Sequence, residues 1–418
     1  MNKPKIIVAH PGRQHSFRVA TALKKSGLLF KYATTVYNKD NSLLMKITKL
    51  FLGEDNVKRA NRRKCPSVPD EDVLQFCEFE GLLLLLLIRI DKSHKIANKF
   101  SRHISRRFQS KLAKYIIENE IDAVISYDTN SDVLFSLLKD KAPHVYRIMD
   151  NAHPNRHYLY YSYQENIACC GPFLHTLEAC GYITKKEIAE KFGNEVKMAT
   201  HHIVASSYSE KALMFDGIKQ ENIYKIPYGV DANRFVDSKR DYVEGKLNVL
   251  FMGEINQRKG IRQLMEAAKL INDKDIIFNI VGDGANHHSE LYEPYKDYVN
   301  LLGFVPFEEL LHQLSINHVF VFPTMGEGFG LVLLEAMAAG IVPVTTENCA
   351  GRDIVEDGLN GFIIPVGDEA AIVDKLRWCA NHPVKLKAMS EAARTTAKAF
   401  TWNKYEHGIV DAVNRIIR

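Results

Sequence analysis

Short apolar runs rich in β-branched residues recur along the chain, and stretches of helical period fill the intervals between them. Runs at Lys5 to His10, Leu29 to Val36, Asp122 to Ser126, His144 to Met149, His202 to Ala205 and Ile223 to Ile226 predict strands. A second series predicts strands at Leu247 to Met252, Ile276 to Val281, Val299 to Leu302, His318 to Phe322, Val342 to Thr345 and Phe362 to Ile364. Helical periodicity over Ile261 to Ile271, Leu331 to Ala339 and Ala370 to Ala380 separates members of the second series. Strands alternating with helices imply parallel sheets with crossover connections, an α/β chain. The two series meet at PYGVDANRFVDSKRDYVEGK, residues 227–246, where Pro227, Gly229, Gly245 and many charges mark a linker. The expected organisation is one domain over residues 1–227 and a second over 228–401, with a last helix at 402–418 completing the first.

One long excursion interrupts the first series. About 85 residues between Val36 and Asp122 show no clear strand, so the first domain is expected to carry a helical insertion at about 38–120. Charge singles this region out. The whole chain of 418 residues has a net charge of only +5, yet Met1 to Lys114 carries 24 Lys and Arg against 9 Asp and Glu, while the remainder carries 31 against 41. The insertion includes KRANRRK (Lys58 to Lys64), the run LLLLLLIRI, and KFSRHISRRFQSKLAK (Lys99 to Lys114). In the last of these, Phe100, Ile104, Phe108 and Leu112 form an apolar stripe flanked by Arg102, Arg106, Arg107 and Lys111. Two uses fit such a stripe: packing against the domain core, or lying on an anionic membrane surface.

Composition narrows the classes further. With 46% hydrophobic and 25% charged residues the chain is globular rather than disordered or fibrous. Leu82 to Ile88, its longest apolar run, falls far short of the roughly 20 residues that span a bilayer. The start MNKPKIIVAH reads as a first strand and not as a secretory signal. Seven cysteines (Cys65, Cys77, Cys169, Cys170, Cys180, Cys349, Cys379) show neither a CxxC pair nor zinc spacing, which fits a reducing, cytoplasmic compartment. His201, His202, His287 and His288 likewise show no ligand spacing, and no metal site is expected.

The most informative segment is VFVFPTMGEGFGLVLLEAMAAG, residues 319–340. An apolar strand enters a turn holding Gly326, Gly328 and Gly330, and a helix starts at once. Glycines admit a ligand close to the backbone, and the N–H groups of Phe329, Gly330 and Leu331 at the helix start form an anion site. Glu327 in the turn and Glu335 in the helix, with seven residues between them, can each accept hydrogen bonds from a pair of hydroxyls. One carboxylate would take a sugar and the other a ribose. By contrast Asp273 and Asp275, which imitate a metal-binding DxD, precede their strand, whereas sheet ligands bind beyond the carboxyl ends.

EGFGLVLLE resembles the EX7E signature of retaining glycosyltransferases with the GT-B fold, most closely family GT4. The resemblance extends to MGEINQRKG (252–260), VGDG (281–284), LLGFVP (301–306) and PYGVDANRF (227–235), and covers residues 201–418. It implies two Rossmann-like domains facing each other across a deep cleft, with a nucleotide-diphosphate sugar, UDP or GDP favoured, held mainly on the second. Carried over by position, Glu327 contacts the donor sugar, Glu335 binds the ribose, and Phe329, Gly330 and Leu331 meet sugar and diphosphate. Lys259 and Arg258 become the diphosphate clamp. Gly253, Gly282, Gly284, Phe304 and Val305 line the nucleotide. The sequence departs from the pattern at Glu254, where family members often have the arginine that pairs with the diphosphate.

In the first domain HPGRQHSFR places Gly12, Arg13 and His15 after a predicted strand, where the resemblance puts a loop closing on donor and acceptor. RIMDNAHPNRH offers His153 at the position of an active-site histidine, with Asp150 as its polar neighbour. These residues imply a metal-independent retaining transferase without a cofactor. Its acceptor is expected to be a glycan or lipid-linked glycan of a bacterial surface polysaccharide (capsule, O-antigen or lipopolysaccharide), presented at the inner membrane face. Nucleic acid is not expected as the partner of the basic half, because the second half points to sugar chemistry. The rival readings are a nucleotide-sugar epimerase on the same fold and a catalytically silent glycan-binding relative. A dinucleotide oxidoreductase is disfavoured because Leu331 stands where GxGxxG needs its last glycine.

Overall fold

Continuous burial of the apolar runs produces two fully parallel sheets, as expected for strands covered by helices on both faces. The computed structural model describes residues 3–13, 15–40, 61–91, 95–179, 185–235, 240–284 and 289–418. Gln14, Lys58 to Ala60, Cys180, residues 236–239 of the linker, His287 and His288 lie outside the described residues.

The first sheet has the order β3-β2-β1-β4-β5-β6-β7. Its strands are β1 Ile6–Ala9, β2 Leu29–Thr34, β3 Val73–Gln75, β4 Ala123–Tyr127, β5 Tyr146–Asn151, β6 His201–Val204 and β7 Ile223–Lys225. The second has the order β10-β9-β8-β11-β12-β13, built from β8 Leu247–Met252, β9 Ile276–Val281, β10 Asn300–Gly303, β11 Val319–Phe322, β12 Val342–Thr346 and β13 Phe362–Ile364. Strand order reverses beside β1 in one sheet and beside β8 in the other. Ligands of open α/β sheets bind beyond the carboxyl ends at such reversals. The loops after β1, β4 and β5 on one side, and after β8 and β11 on the other, therefore lie where a ligand would bind.

Two features differ from the sequence expectation. The insertion contains a strand after all: β3 pairs in parallel with β2, Tyr32 opposite Val73 and Ala33 opposite Leu74. Three residues at a sheet edge leave no periodic signal. The stripe of the helix Lys95–Glu118 turns inward, burying Ile104 and packing Phe108 and Leu112 in one cluster with Ile7, Ala33 and Val124. It is a core face, and the basic residues lie on the side that meets solvent.

The last helix, Trp402–Ile417, packs on the helix Ser16–Lys25 of the first domain, where Lys25 reaches Glu406 at 2.7 Å and the Arg18 guanidinium lies 4.7 Å from the Trp402 ring centre. One apolar cluster runs from Ile6 and Val8 through Tyr228 and Val230 to Phe320, Leu333 and Ile409. The linker is thus threaded through core shared by both sheets. Among the described residues no helix is long and apolar enough to cross a membrane, and no disulfide joins the described cysteines.

Candidate active site

Glu327 sits in the turn between β11 and the helix Leu331–Ala338, at the centre of a charged cluster. Arg258 donates to its Oε2 at 2.6 Å, and Lys259 donates to the same oxygen. Both cations belong to a short 3₁₀ turn, Gln257–Lys259, whose start is capped by the Asn256 side chain accepting from the Lys259 N–H. The Arg258 carbonyl accepts from the Thr324 hydroxyl and the Met325 N–H, which ties the two loops together. The Lys259 ammonium lies 5.0 Å from the centre of the Phe322 ring. Burial disfavours the charge on Glu327, but Lys259, Arg258 and His153 outweigh it and hold the carboxyl below its ordinary range. Burial lowers Lys259 in spite of Glu327. Two cations converge on the covered Glu327 carboxylate, with the exposed Glu254 carboxylate 3.9 Å from Arg258, so an incoming anion can bind by competing for them.

Phe329, Gly330 and Leu331 open the following helix, whose first N–H groups have no partner within it. Gly330 caps it with φ +83°. Glu335 lies one turn on and is half buried; burial pushes its carboxyl up, and only Arg234 opposes this. Such a carboxylate gains by accepting hydroxyl hydrogen bonds from a ligand. Gly253, Gly282 to Gly284 and Gly303 to Val305 stand at the carboxyl ends of β8, β9 and β10, side by side. The Gly253 N–H donates to Val281, Gly282 to Gly303, and Ile255 to Asp283. A Cβ on Gly282 would stand 1.7 Å from the Gly253 carbonyl oxygen, so these loops form one continuous ledge of backbone. Phe304 stands 82% exposed on it, while Val305 is half buried. Glu254, the departure from the resemblance, points outward with its carboxylate 3.9 Å from Arg258. Asp273 and Asp275 form a loop turn before β9, the Asp275 N–H donating to the Asp273 carboxylate.

The first domain supplies the opposite wall. A Cβ on Gly328 would lie 2.1 Å from the Ala152 carbonyl and 3.1 Å from the His153 Cα, so the glycine turn presses directly on the loop after β5. The serines at the start of the helix Ser207–Phe215 reinforce the contact: Ser206 and Ser209 both donate to the Gly328 carbonyl. Nearby Asp353 of the second domain accepts from the Ser207 N–H at 2.8 Å and from Lys225 at 2.9 Å.

The pairing of the histidines differs from expectation. Asp150 is the partner of His15, at 2.9 Å, whereas His153 Nδ1 lies 3.4 Å from Asp128. The parallel register explains this: Asp150 is buried at the carboxyl end of β5, opposite Tyr127 of β4, and Asp128 follows β4 directly. Burial opposes the charge of His15, but Asp150 prevails and raises it above the ordinary value. Gly12 donates to His10 Nδ1 at 2.8 Å, and Arg13 is exposed with its guanidinium 5.8 Å from the Phe17 ring centre. Tyr228 joins the walls, with ring centres 5.1 Å from His15 and 5.3 Å from Phe329. His202 is buried beside Asn151 and pushed down to about 3, a neutral core residue. Among the described residues no group of His, Cys, Asp and Glu is arranged to hold a metal ion.

Asp128, Ser206, Ser209, Asp353 and Tyr228 were missed by sequence reasoning. Only Tyr228, within the linker motif, carried any local signal.

Two parallel Rossmann-like sheets meeting in this way define the GT-B architecture. The structure of sucrose-phosphate synthase from Thermosynechococcus elongatus superposes with a TM-score of 0.64 at 16% identity, covering 99% of both chains. That of Anabaena HepE in complex with UDP-glucose superposes at 0.60 and 15%, covering 98% of this chain and 99% of the other. Residues 234–396 match the family described as Glycosyl transferases group 1. In sequence the chain is 30% identical to a phosphatidyl-myo-inositol mannosyltransferase of Mycobacterium tuberculosis over 190 residues, 43% of this chain and 50% of that protein. It is 27% identical to the amylovoran biosynthesis glycosyltransferase AmsK of Erwinia amylovora over 168 residues, 37% and 41% of the two chains. The chain spans about half the length of the curated relatives it matches.

Proposed function

We propose that this protein is a retaining, metal-independent glycosyltransferase of the GT4 type, transferring a sugar from a nucleoside diphosphate sugar to an acceptor hydroxyl. The observation that carries the reading is the shared carboxylate of Glu327, held by Arg258 and Lys259 at a helix N-terminus opposite His153. The donor diphosphate would take over Arg258, Lys259 and the helix amides, releasing Glu327 toward the sugar hydroxyls. In the transfer the bond from the anomeric carbon to the diphosphate oxygen breaks and a bond from the same carbon to the acceptor oxygen forms. Negative charge grows on the departing phosphate, where the clamp stabilises it, and that phosphate accepts the acceptor's proton. His153, oriented by Asp128, would face the sugar from the first domain. Glu335 would accept from the ribose hydroxyls, with the ledge from Gly253 to Val305 against the base of UDP or GDP.

The relative named for amylovoran biosynthesis supports a role in bacterial surface polysaccharide assembly, which we place at the cytoplasmic face on a glycan or lipid-linked acceptor. Thermal-shift screening of UDP-, GDP-, ADP- and dTDP-sugars, followed by transfer assays with the stabilising donor, tests the reading. Release of an epimerised donor without transfer would favour the isomerase alternative. Absence of any nucleotide binding would leave only a glycan-binding role.

A further inference from the structure

Among the described residues, the helix Glu78–Ile90 is fastened on the side that meets Val36 and the helix Lys95–Glu118. Gly81 sits so close to the first domain that a Cβ there would lie 2.6 Å from Val36 Cγ2, and Leu82 and Leu85 pack on the same residue. The opposite side carries Phe79, Leu83, Leu86 and Ile90, spaced at four, three and four residues, which is one stripe of an α-helix. All four are exposed, Phe79 by 69% and Ile90 by 66%. Ile96, at the start of the next helix, is 66% exposed as well. Such a cluster of large apolar side chains in one short span marks a surface that meets something apolar.

Charge selects the partner. Arg89, Lys95, Lys99, Arg102 and Arg106 stand exposed from the end of this helix along the outer side of Lys95–Glu118, whose own apolar stripe is buried. Among the described residues the acids nearby are Glu78, Glu80, Asp91 and Asp132; Glu80 is engaged by Arg107 at 2.8 Å, Asp91 accepts from the Ala97 N–H, and Asp132 lies 3.9 Å from Arg106. A second copy of this face would bring cation against cation. An anionic lipid surface satisfies both features, because head-group phosphates meet the arginines and lysines while the apolar stripe enters the acyl boundary.

We propose that the outer stripe of the helix Glu78–Ile90, with the basic side of the helix Lys95–Glu118, docks the protein on an anionic bilayer without crossing it. This surface is independent of the transferase reading, since it uses none of the residues around Glu327. The test is sedimentation of the full chain with vesicles of phosphatidylcholine alone or mixed with phosphatidylglycerol. Retention is expected only on the anionic vesicles, to weaken in high salt, and to fall about tenfold or more in Leu86→Ser/Ile90→Ser, with nucleotide-induced thermal shift unchanged. Leu86→Trp gives a second readout, a blue-shifted emission on anionic vesicles quenched by brominated acyl chains. No retention of the wild type, retention unaffected by the double substitution, or a dimer that the same substitution dissolves would each overturn the proposal.

Discussion

Lys259 and Glu327, 68 residues apart in sequence, form an ion pair that joins the first loop of the second domain to its glycine turn. Arg258 closes on the same carboxylate oxygen from the neighbouring position. An ion pair this well covered is weak evidence for stability, because desolvation offsets much of the attraction. Its arrangement matters more for charge it can later transfer to a bound anion. Lys259→Ala should lower turnover by about 10²-fold or more, the scale of removing one preorganised charge-stabilising donor. Glu327→Gln should also cut turnover while leaving nucleotide binding largely intact, because the cations remain. Steady-state kinetics with nucleoside diphosphate titration would separate the two effects, and wild-type turnover in both variants would remove the site assignment.

Glu335 is expected to act on binding rather than on chemistry. Glu335→Ala should raise the donor KM by about tenfold or more, as expected for the loss of hydrogen bonds to a charged acceptor. A nucleoside diphosphate that binds the variant as tightly as the wild type would place the ribose elsewhere.

The contact between Gly328 and Ala152 leaves no room for a side chain. Gly328→Ala must push the domains apart or distort the turn, since the added atom would lie 2.1 Å from the Ala152 oxygen. Transfer should fall at least about tenfold, given how sensitive catalysis is to misplacement of about 1 Å. Nucleotide affinity, which rests mainly on the second domain, should change less. Small-angle scattering would report the separation, and a variant with unaltered shape and rate would refute the proposed pressure between the walls.

His153 and Asp128 make a testable pair. If Asp128 orients the ring, Asp128→Asn should reduce turnover less than His153→Ala does, and the double variant should be no worse than His153→Ala alone. Additive losses would mean that the two act separately.

Glu195 offers a pH prediction unrelated to turnover. It accepts from the N–H groups of Ser131 and Thr129, but burial dominates and, with Asp128 and Asp132 nearby, raises its carboxyl to about 7. A carboxyl raised on folding binds more protons in the native state than in the unfolded chain, so stability should decline as pH rises from roughly 4.5 to about 7. The full effect is on the order of 3 kcal/mol. Glu195→Gln should flatten that slope in denaturant titrations across the interval. An unchanged slope would show that other groups set it.

Much of this protein can be read in one dimension. Strands β8, β9 and β13 begin and end where their apolar runs do, because a strand covered on both faces is built mainly from apolar residues. The glycine turn with Glu327 and Glu335 is equally legible, since a strand, a ligand-admitting loop and a helix start occur within about twenty consecutive residues. The amphipathic stripe at Phe100 to Leu112 and the apolar run from Leu82 were visible too. Which of them is buried was not, because periodicity reports that a helix has an apolar side and says nothing about what lies against it. Packing decided that Phe108 and Leu112 face the sheet and Ile104 is buried, while Leu83, Leu86 and Ile90 face outward. Likewise Asp150 pairs with His15 and Asp128 with His153 because parallel register brings the loops after β1, β4 and β5 to one edge. The sequence by itself determined the elements and the chemistry carried within single loops. Partners drawn from distant loops depended on strand order, a property of the folded sheet to which no local pattern responds.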